Sequence, residues 1–408
     1  MNSLTWPKEF PGAHWFDSEE EKAVLDVVRR GAPFRHYGLD TPRYVATFEA
    51  AVREYYGIKH ALAVNSGTGA LITAMTALGI GPGDEVIVPS FMWVATVTAV
   101  VNANAIPVIC EVDDSFTMDP VDLENKITPR TKLILPVHMA GVPCAMDAIM
   151  KIARSHDIAV LEDVAQCNGG SFNGKKVGTF GDIGMFSLQL NKNMTTGEGG
   201  VVVTDDDALY ERLSAAHDTG YIWVDGEPQE PSPEALGWGS GRRMSELIGA
   251  VASVQIGKLP AIVEHMRGSY TRIKKLISDV PGLGFRRLND ADGHSGPFMI
   301  IVLEDEIAAK NVIRAMGENG LGSSCRLADY GLHIYSNIRQ LVEKAPLSPA
   351  GNPWNLKANS ESVYEYGIGA CPQSDELFGR SIVIPIPSML TEEQERQAAG
   401  VIRKAVVG

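Results

Sequence analysis

From Ile58 onward the chain alternates short apolar runs with amphipathic stretches. The apolar runs occupy 60–64, 85–89, 106–112, 133–137, 159–161, 184–187 and 201–204, and helical periodicity fills intervals such as 68–78, 94–102 and 146–156. Runs this short and this continuous belong to strands covered on both faces, because a strand with one wet face alternates apolar with polar positions. The pattern predicts an α/β domain, a large three-layer αβα unit around a mixed, mostly parallel seven-stranded sheet. After Lys258 the pattern changes. Residues 262–280 read as one long helix stopped by Pro281-Gly282, and apolar runs at 297–303 and 381–385 are accompanied by helices at 307–319 and 391–406. Thr391-Glu392-Glu393-Gln394 opens the last helix with a capping box. A polar loop rich in Pro, Gly and Asn, 344–374, interrupts this half. The expected division is a large domain at 31–258 and a smaller α+β domain at 259–408, with residues 1–30 packing on the latter.

Composition narrows the function classes. Hydrophobic residues make up 45% of the 408 positions and charged residues 21%, enough to bury a large core. A net charge of −14 repels phosphate backbones, which argues against nucleic-acid binding. Two uncharged stretches, 61–83 and 86–110, are long enough to span a bilayer. Pro, Gly, Asn and hydroxyl residues break both, so each reads as a strand followed by a helix rather than a membrane span. Residues 1–12 lack the basic start and apolar stretch of a secretory signal. The five cysteines are scattered and form no CxxC pair, so neither a disulfide framework nor a metal site is expected. A soluble cytoplasmic protein fits these features.

Three segments carry candidate chemistry. Asn65-Ser66-Gly67-Thr68-Gly69 is a small-residue turn between a strand and a helix, where free N–H groups favour a phosphate. Glu162-Asp163 ends an apolar run, at the crevice where open α/β sheets bind ligands, although Asp163 alone also reads as a helix cap. Lys192 follows Phe186-Ser187 and precedes Gly197-Glu198-Gly199-Gly200. A lone lysine is ordinarily a solvated surface charge, but one sheltered from water beside a cation has a lowered pKa and becomes a nucleophile. Together the three segments supply what pyridoxal 5′-phosphate (PLP) requires: a Schiff-base lysine, an acid for the ring nitrogen and donors for the phosphate.

In these motifs, and in Gly83-Asp84-Glu85-Val86-Ile87-Val88-Pro89-Ser90, the chain resembles the DegT/StrS-type sugar aminotransferases, a fold-type-I PLP family. The resemblance implies that Lys192 forms the Schiff base and moves the proton. It implies that Asp163 pairs with the ring nitrogen, that Gln166 meets the ring hydroxyl, and that Gly67, Thr68 and Ser187 hold the phosphate. Trp93 matches the family's ring-stacking aromatic. Where the family has Gly-x-Asn-[aromatic]-Arg-Met-Ser-Glu, this chain reads Gly239-Ser240-Gly241-Arg242-Arg243-Met244-Ser245-Glu246. The Asn that reaches the neighbouring subunit's phosphate is thus missing, and Arg242 is expected either to replace it as a charged donor or to bind an anionic substrate. His138, His333, Tyr335 and Arg35 are expected on the substrate side, with His36 and His217 as further candidates. The implied activity is transfer of an amino group from L-glutamate or L-glutamine to a keto-sugar, keto-sugar acid or cyclitol by a homodimer. The alternatives are a deoxysugar dehydratase of the same family, in which histidine replaces the lysine, and a PLP-binding regulatory protein without turnover.

Overall fold

The computed structural model describes residues 6–408. Helices α1 (Ser18–Arg30) and α2 (Tyr44–Tyr56) lead into an alternation of strands and helices. It runs β1 (His60–Val64), α3 (Gly67–Ala77), β2 (Glu85–Pro89), α4 (Val94–Asn102), β3 (Ile106–Cys110), α5 (Pro120–Lys126) and β4 (Thr131–Ile134). It continues through α6 (Met146–Ser155), β5 (Ala159–Asp163), β6 (Ile183–Ser187), β7 (Gly200–Thr204) and α7 (Asp207–His217). The seven strands form one sheet in the order β1-β7-β6-β5-β4-β2-β3. Only β7 runs against its two neighbours; the other pairings are parallel.

Side chains alternate across this sheet, as the two-residue period of a strand requires. Leu62, Val64, Val86, Val88, Leu161 and Met185 pack with α3 and α4, whereas Ala61, Ala63, Ile87, Val160 and Phe186 pack with α2 and α6. The three-layer αβα arrangement follows. Two strands are shorter than their apolar runs. Val112 and Val137 make only isolated bridges, to Met118 and Asp163. Pro136, which has no N–H to donate, precedes Val137.

The long helix, α8 (Glu246–Ile277), begins well before the expected residue 262, and the expected boundary at 258 falls inside it. Pro260 and several glycines hide its first half from a periodicity reading. Close packing explains Gly249, where a Cβ would come within 2.8 Å of the Val45 nitrogen, whereas a Cβ at Gly257 would meet nothing within 4 Å. This is the one helix among the described residues that is long and apolar enough to cross a membrane; half of its most apolar window is buried. It serves as a core helix, carrying α2 on its first half and the second sheet's core on its last turns. That second sheet is antiparallel, in the order β8 (Gly284–Phe285), β9 (Phe298–Val302), β11 (Ser381–Pro385), β10 (Cys325–Arg326). Helices α9 (Glu306–Glu318) and α11 (Glu392–Val407) cover it, and the capping box at Thr391 and Gln394 is formed. Between β10 and β11 lies α10 (Pro372–Gly379).

The polar loop 344–374 is bound down by buried carboxylates at the strand ends. Glu85 accepts from Ser362 Oγ (2.6 Å), Tyr364 OH (3.0 Å), Thr128 Oγ1 (2.6 Å) and Arg130 Nε (3.1 Å). Glu111 accepts from the Ser374 nitrogen at 2.8 Å. Burial raises the Glu85 pKa, but its four donors outweigh burial and hold it below the ordinary carboxylate value. A lowered folded-state pKa means that its stabilisation is complete above the unfolded value of about 4.3. That contribution is lost as pH falls through the lower folded value. Glu85→Ala is therefore expected to cost on the order of 2 kcal/mol at neutral pH, with the difference from wild type shrinking below pH 4. Urea titrations at several pH values measure it, and the variant's loop 344–374 should become susceptible to limited proteolysis. A pH-independent difference would count against this role.

Candidate active site

The carboxyl ends of β1, β2, β5 and β6 lie at one edge of the sheet, and the candidate residues sit on the loops that leave them. Asp163 is the last residue of β5 and is buried. Its Oδ2 accepts from Thr96 Oγ1 of α4 and its Oδ1 from the Ala165 nitrogen, each at 3.0 Å. No cation among the described residues comes within ion-pair distance. Burial raises its pKa, and the two donors and the more distant Lys192 charge oppose that shift only in part.

Glycine and serine shape the next wall. Ser66 caps α3, its Oγ accepting from the Gly69 nitrogen at 2.9 Å, which leaves the N–H groups of Gly67 and Thr68 ahead of the helical bonding pattern. Gly67 lies against Ser187 at the end of β6; a Cβ at Gly67 would stand 2.7 Å from the Ser187 Cβ. The turn can therefore approach the serine hydroxyl only without a side chain. The result is a cup of two backbone donors and two hydroxyls at a helix N-terminus, the arrangement that binds phosphate.

Lys192 is carried by the loop between β6 and β7. Its backbone is held at both ends, donating to the Gln189 carbonyl (2.9 Å) and accepting from the Gly12 nitrogen (3.1 Å). Asn193 Nδ2 ties the same loop to the Asn168 carbonyl at 2.8 Å. Loss of hydration lowers the Lys192 pKa, against the attraction of Asp163. The shift is in the direction that favours the uncharged, nucleophilic amine.

Ser66, Gly67, Thr68, Trp93, Asp163, Gln166, Ser187, Lys192 and His333 line one cavity of about 480 Å³. Trp93 is 41% exposed, so its indole is free to cover a flat ligand. It meets His333, ring centroids 4.7 Å apart, and His333 stacks on Tyr330 at 4.2 Å. Burial pushes the His333 pKa down to about 4, so the imidazole is neutral, with Nδ1 placed 3.1 Å from the Tyr330 carbonyl. The Gln166 side chain accepts from the Ala140 nitrogen at 3.1 Å.

Other expected residues lie elsewhere. His138 is fully buried between Glu162 (3.1 Å) and the Cys144 nitrogen (3.0 Å), where it orders the loop after β4. Tyr335 is fully buried, and its hydroxyl donates to Asp375 at 3.1 Å. Arg35 joins Glu49 (2.8 Å) and the Ala63 carbonyl (2.9 Å), while His217 is buried beside it and His36 stacks on Trp223 at 4.3 Å. These five residues hold the scaffold and do not line the cavity. Arg243 is paired with Asp218 at 2.7 Å. Arg242 does not line the cavity, but its Cδ lies 3.4 Å from where a Gly69 Cβ would stand, behind the first turn of α3. Its Nε is buried with no acceptor, and desolvation lowers its pKa. The residues that the sequence reading passed over are Glu9, Phe298 and Tyr330, all on the cavity wall. No local motif marks Glu9 or Phe298. Tyr330 lies between His333 and Phe298 in the packed site, and its place follows from its stacking on His333.

The donor set fits PLP on the evidence of its unsatisfied groups. A buried carboxylate without a cation suits a protonated ring nitrogen, a lowered-pKa amine suits an aldehyde, and the cup at α3 suits a phosphate. The sequence profile of the DegT/DnrJ/EryC1/StrS aminotransferase family matches residues 17–350. A GDP-perosamine synthase from Caulobacter vibrioides is 48% identical over 172 residues, a match spanning 42% of this chain and 46% of that enzyme. An L-glutamine:2-deoxy-scyllo-inosose aminotransferase from Streptomyces kanamyceticus is 36% identical over 384 residues, 90% of this chain and 84% of that enzyme. Among solved structures, a 3-amino-5-hydroxybenzoic acid synthase superposes with a TM-score of 0.80 at 25% identity, over 100% of both chains. The GDP-4-keto-6-deoxy-D-mannose-3-dehydratase of E coli shares the fold, with a TM-score of 0.78 at 21% identity over 98% of each chain. With its profile match, its relatives and its fold-type-I architecture in agreement, the chain belongs to the DegT/DnrJ/EryC1/StrS aminotransferase family and is a PLP-dependent aminotransferase.

Proposed function

We propose that this aminotransferase takes its amino group from L-glutamine or L-glutamate and delivers it to the keto carbon of a sugar, sugar acid or cyclitol. One observation carries this reading: Lys192 and Asp163 converge on a single cavity beside the phosphate cup of α3. Relatives named for sugar and cyclitol substrates support the acceptor class. Bound there, PLP supplies an electron sink and a carrier for the amino group. Lys192 takes the proton from the donor Cα and returns it when the acceptor is aminated. Asp163 keeps the ring nitrogen protonated. The N–H groups of Gly67 and Thr68 and the hydroxyls of Thr68 and Ser187 hold the phosphate, with the Arg242 charge behind α3 adding to the field. Trp93 covers the ring, and Gln166 orients it from the Ala140 side.

A dehydratase shares the fold, so the fold does not decide between the two activities. Lys192 does, because amino transfer needs a side chain that moves a proton onto and off carbon. The assembly proposed is a homodimer, in the cytoplasm. Trp238 (91% exposed) and Leu236 (71%) leave apolar surface uncovered just before the Gly239–Glu246 segment. A single exposed apolar side chain is ordinary on a surface, but two large ones so close in the chain support a contact there.

Three outcomes test this reading. Lys192→Ala should lose turnover while keeping its circular dichroism and unfolding midpoint; full activity would overturn the assignment. Asp163→Asn should keep some PLP yet lose about two orders of magnitude in rate, as removal of a buried charge partner predicts. A loss under tenfold would return Asp163 to the role of a helix cap. Sedimentation should give a dimer that Trp238→Asp and Leu236→Asp together weaken, and a wild-type monomer would refute the assembly. A panel of keto acceptors then identifies the second substrate.

A further inference from the structure

Glu9 and Glu198 are the two carboxylates on the cavity wall to which the cofactor reading gives no role, and Glu9 is the one held there by the N-terminal segment. It lies before the 17–350 family match, in a segment locked against the active site at several points. The Gly12 nitrogen donates to the Lys192 carbonyl, and a Cβ at Gly12 would stand 3.0 Å from that oxygen and from the Thr195 nitrogen. The Pro11 carbonyl accepts from Ser388 Oγ at 2.6 Å, and Trp15 Nε1 donates to the same hydroxyl at 3.2 Å. Between these anchors and the cavity, Phe10 adopts φ 82, a left-handed conformation that a bulky residue takes only under constraint. The segment is thus held so that Glu9 reaches the cavity wall, in company with Pro297, Phe298, Tyr330 and His333.

The Glu9 carboxylate has no hydrogen bond and no ion pair among the described residues. Burial alone acts on it and raises its pKa, and its charge is felt by Tyr330. It plays no part in holding PLP, because the groups suited to the phosphate, ring nitrogen and aldehyde are all accounted for. A partly desolvated carboxylate with free lone pairs is an acceptor waiting for O–H or N–H donors. It also repels an anion brought to the same place.

We propose that Glu9 is a specificity-determining residue that accepts hydrogen bonds from ring hydroxyls of a neutral, polyhydroxylated keto acceptor and turns away acceptors carrying a carboxylate at that end. This rests on the aminotransferase reading above and narrows its acceptor class, from sugar, sugar acid or cyclitol to the neutral members.

The test uses PLP-loaded wild type, Glu9→Gln and Glu9→Ala. The donor half-reaction is followed first, as the change in cofactor absorbance on adding L-glutamine. Absence of that change in the wild type would refute the aminotransferase reading itself. Binding is then measured by quenching of tryptophan fluorescence, with 2-deoxy-scyllo-inosose as the neutral probe and 2-ketogluconate as the anionic one. The wild type should bind the neutral probe more tightly than the anionic one. Glu9→Gln should weaken the neutral probe about tenfold, the worth of a charge-assisted hydrogen bond, and tighten the anionic probe. That opposite movement of two probes distinguishes recognition from a loss of local structure, which would weaken both. Unchanged preference in Glu9→Gln, parallel weakening of both probes, or no binding of the neutral probe by the wild type would overturn the proposal.

Discussion

Asp163 is a carboxylate that the chain buries and does not neutralise. One hydroxyl and one backbone N–H are all that reach it, and they leave its pKa raised. Burying a charge without a partner is costly, which is the cause of the raised pKa, and a cation brought to the position would stabilise the ionised form. The same burial strips water from Lys192 and lowers its pKa. One desolvated pocket therefore acts on both groups, leaving the carboxyl in need of a cationic partner and disfavouring the charged form of the amine.

The neighbouring Glu162 shows how the sheet separates structural from chemical acids. Successive residues of a strand point to opposite faces. Asp163 shares the side of Leu161 and meets Thr96 of α4, whereas Glu162 turns to the other face. There it accepts from the nitrogens of Gly178 (2.7 Å), Phe180 (2.6 Å) and Gly181 (2.8 Å), and from His138. Glu246 does the same for the start of α2, accepting from the nitrogens of Arg43, Tyr44 and Val45. In both cases a charged acceptor gathers N–H groups that no helix or strand satisfies, and so fixes a loop or a helix end.

The catalytic loop is built from distant parts of the chain. Its lysine is braced by Gly12 from the N-terminal segment and by Asn168 through Asn193. Its aromatic wall comes from α4's cap, Trp93, and from the connection between β10 and β11, which supplies Tyr330 and His333. The α3 cup and Asp163, by contrast, stand on the large sheet.

Local chemistry made the large sheet and three of the segments that line the cavity legible in the sequence. Continuous apolar runs revealed the strands, and the turn at Gly67, the acid at the end of β5 and the lysine after β6 each fall within a few residues of a strand end. The roles of Asp163 and Ser187 in one site came from the family resemblance, and the sheet places both at the carboxyl ends of neighbouring strands. The remaining features depended on long-range packing. Glycines and Pro260 concealed the first half of α8, and of these Gly249 reflects the approach of α2 at Val45 rather than any weakness of the helix. His138, Tyr335 and Arg35 are polar residues of the kind found in sites, and only their partners Glu162, Asp375 and Glu49 reveal them as scaffold. Glu9 carries no local signal, since its place in the cavity comes from anchors at Lys192 and Ser388, far along the chain. Periodicity and turn chemistry are written into neighbouring residues, whereas the partner of a polar side chain is decided only when separate segments pack together.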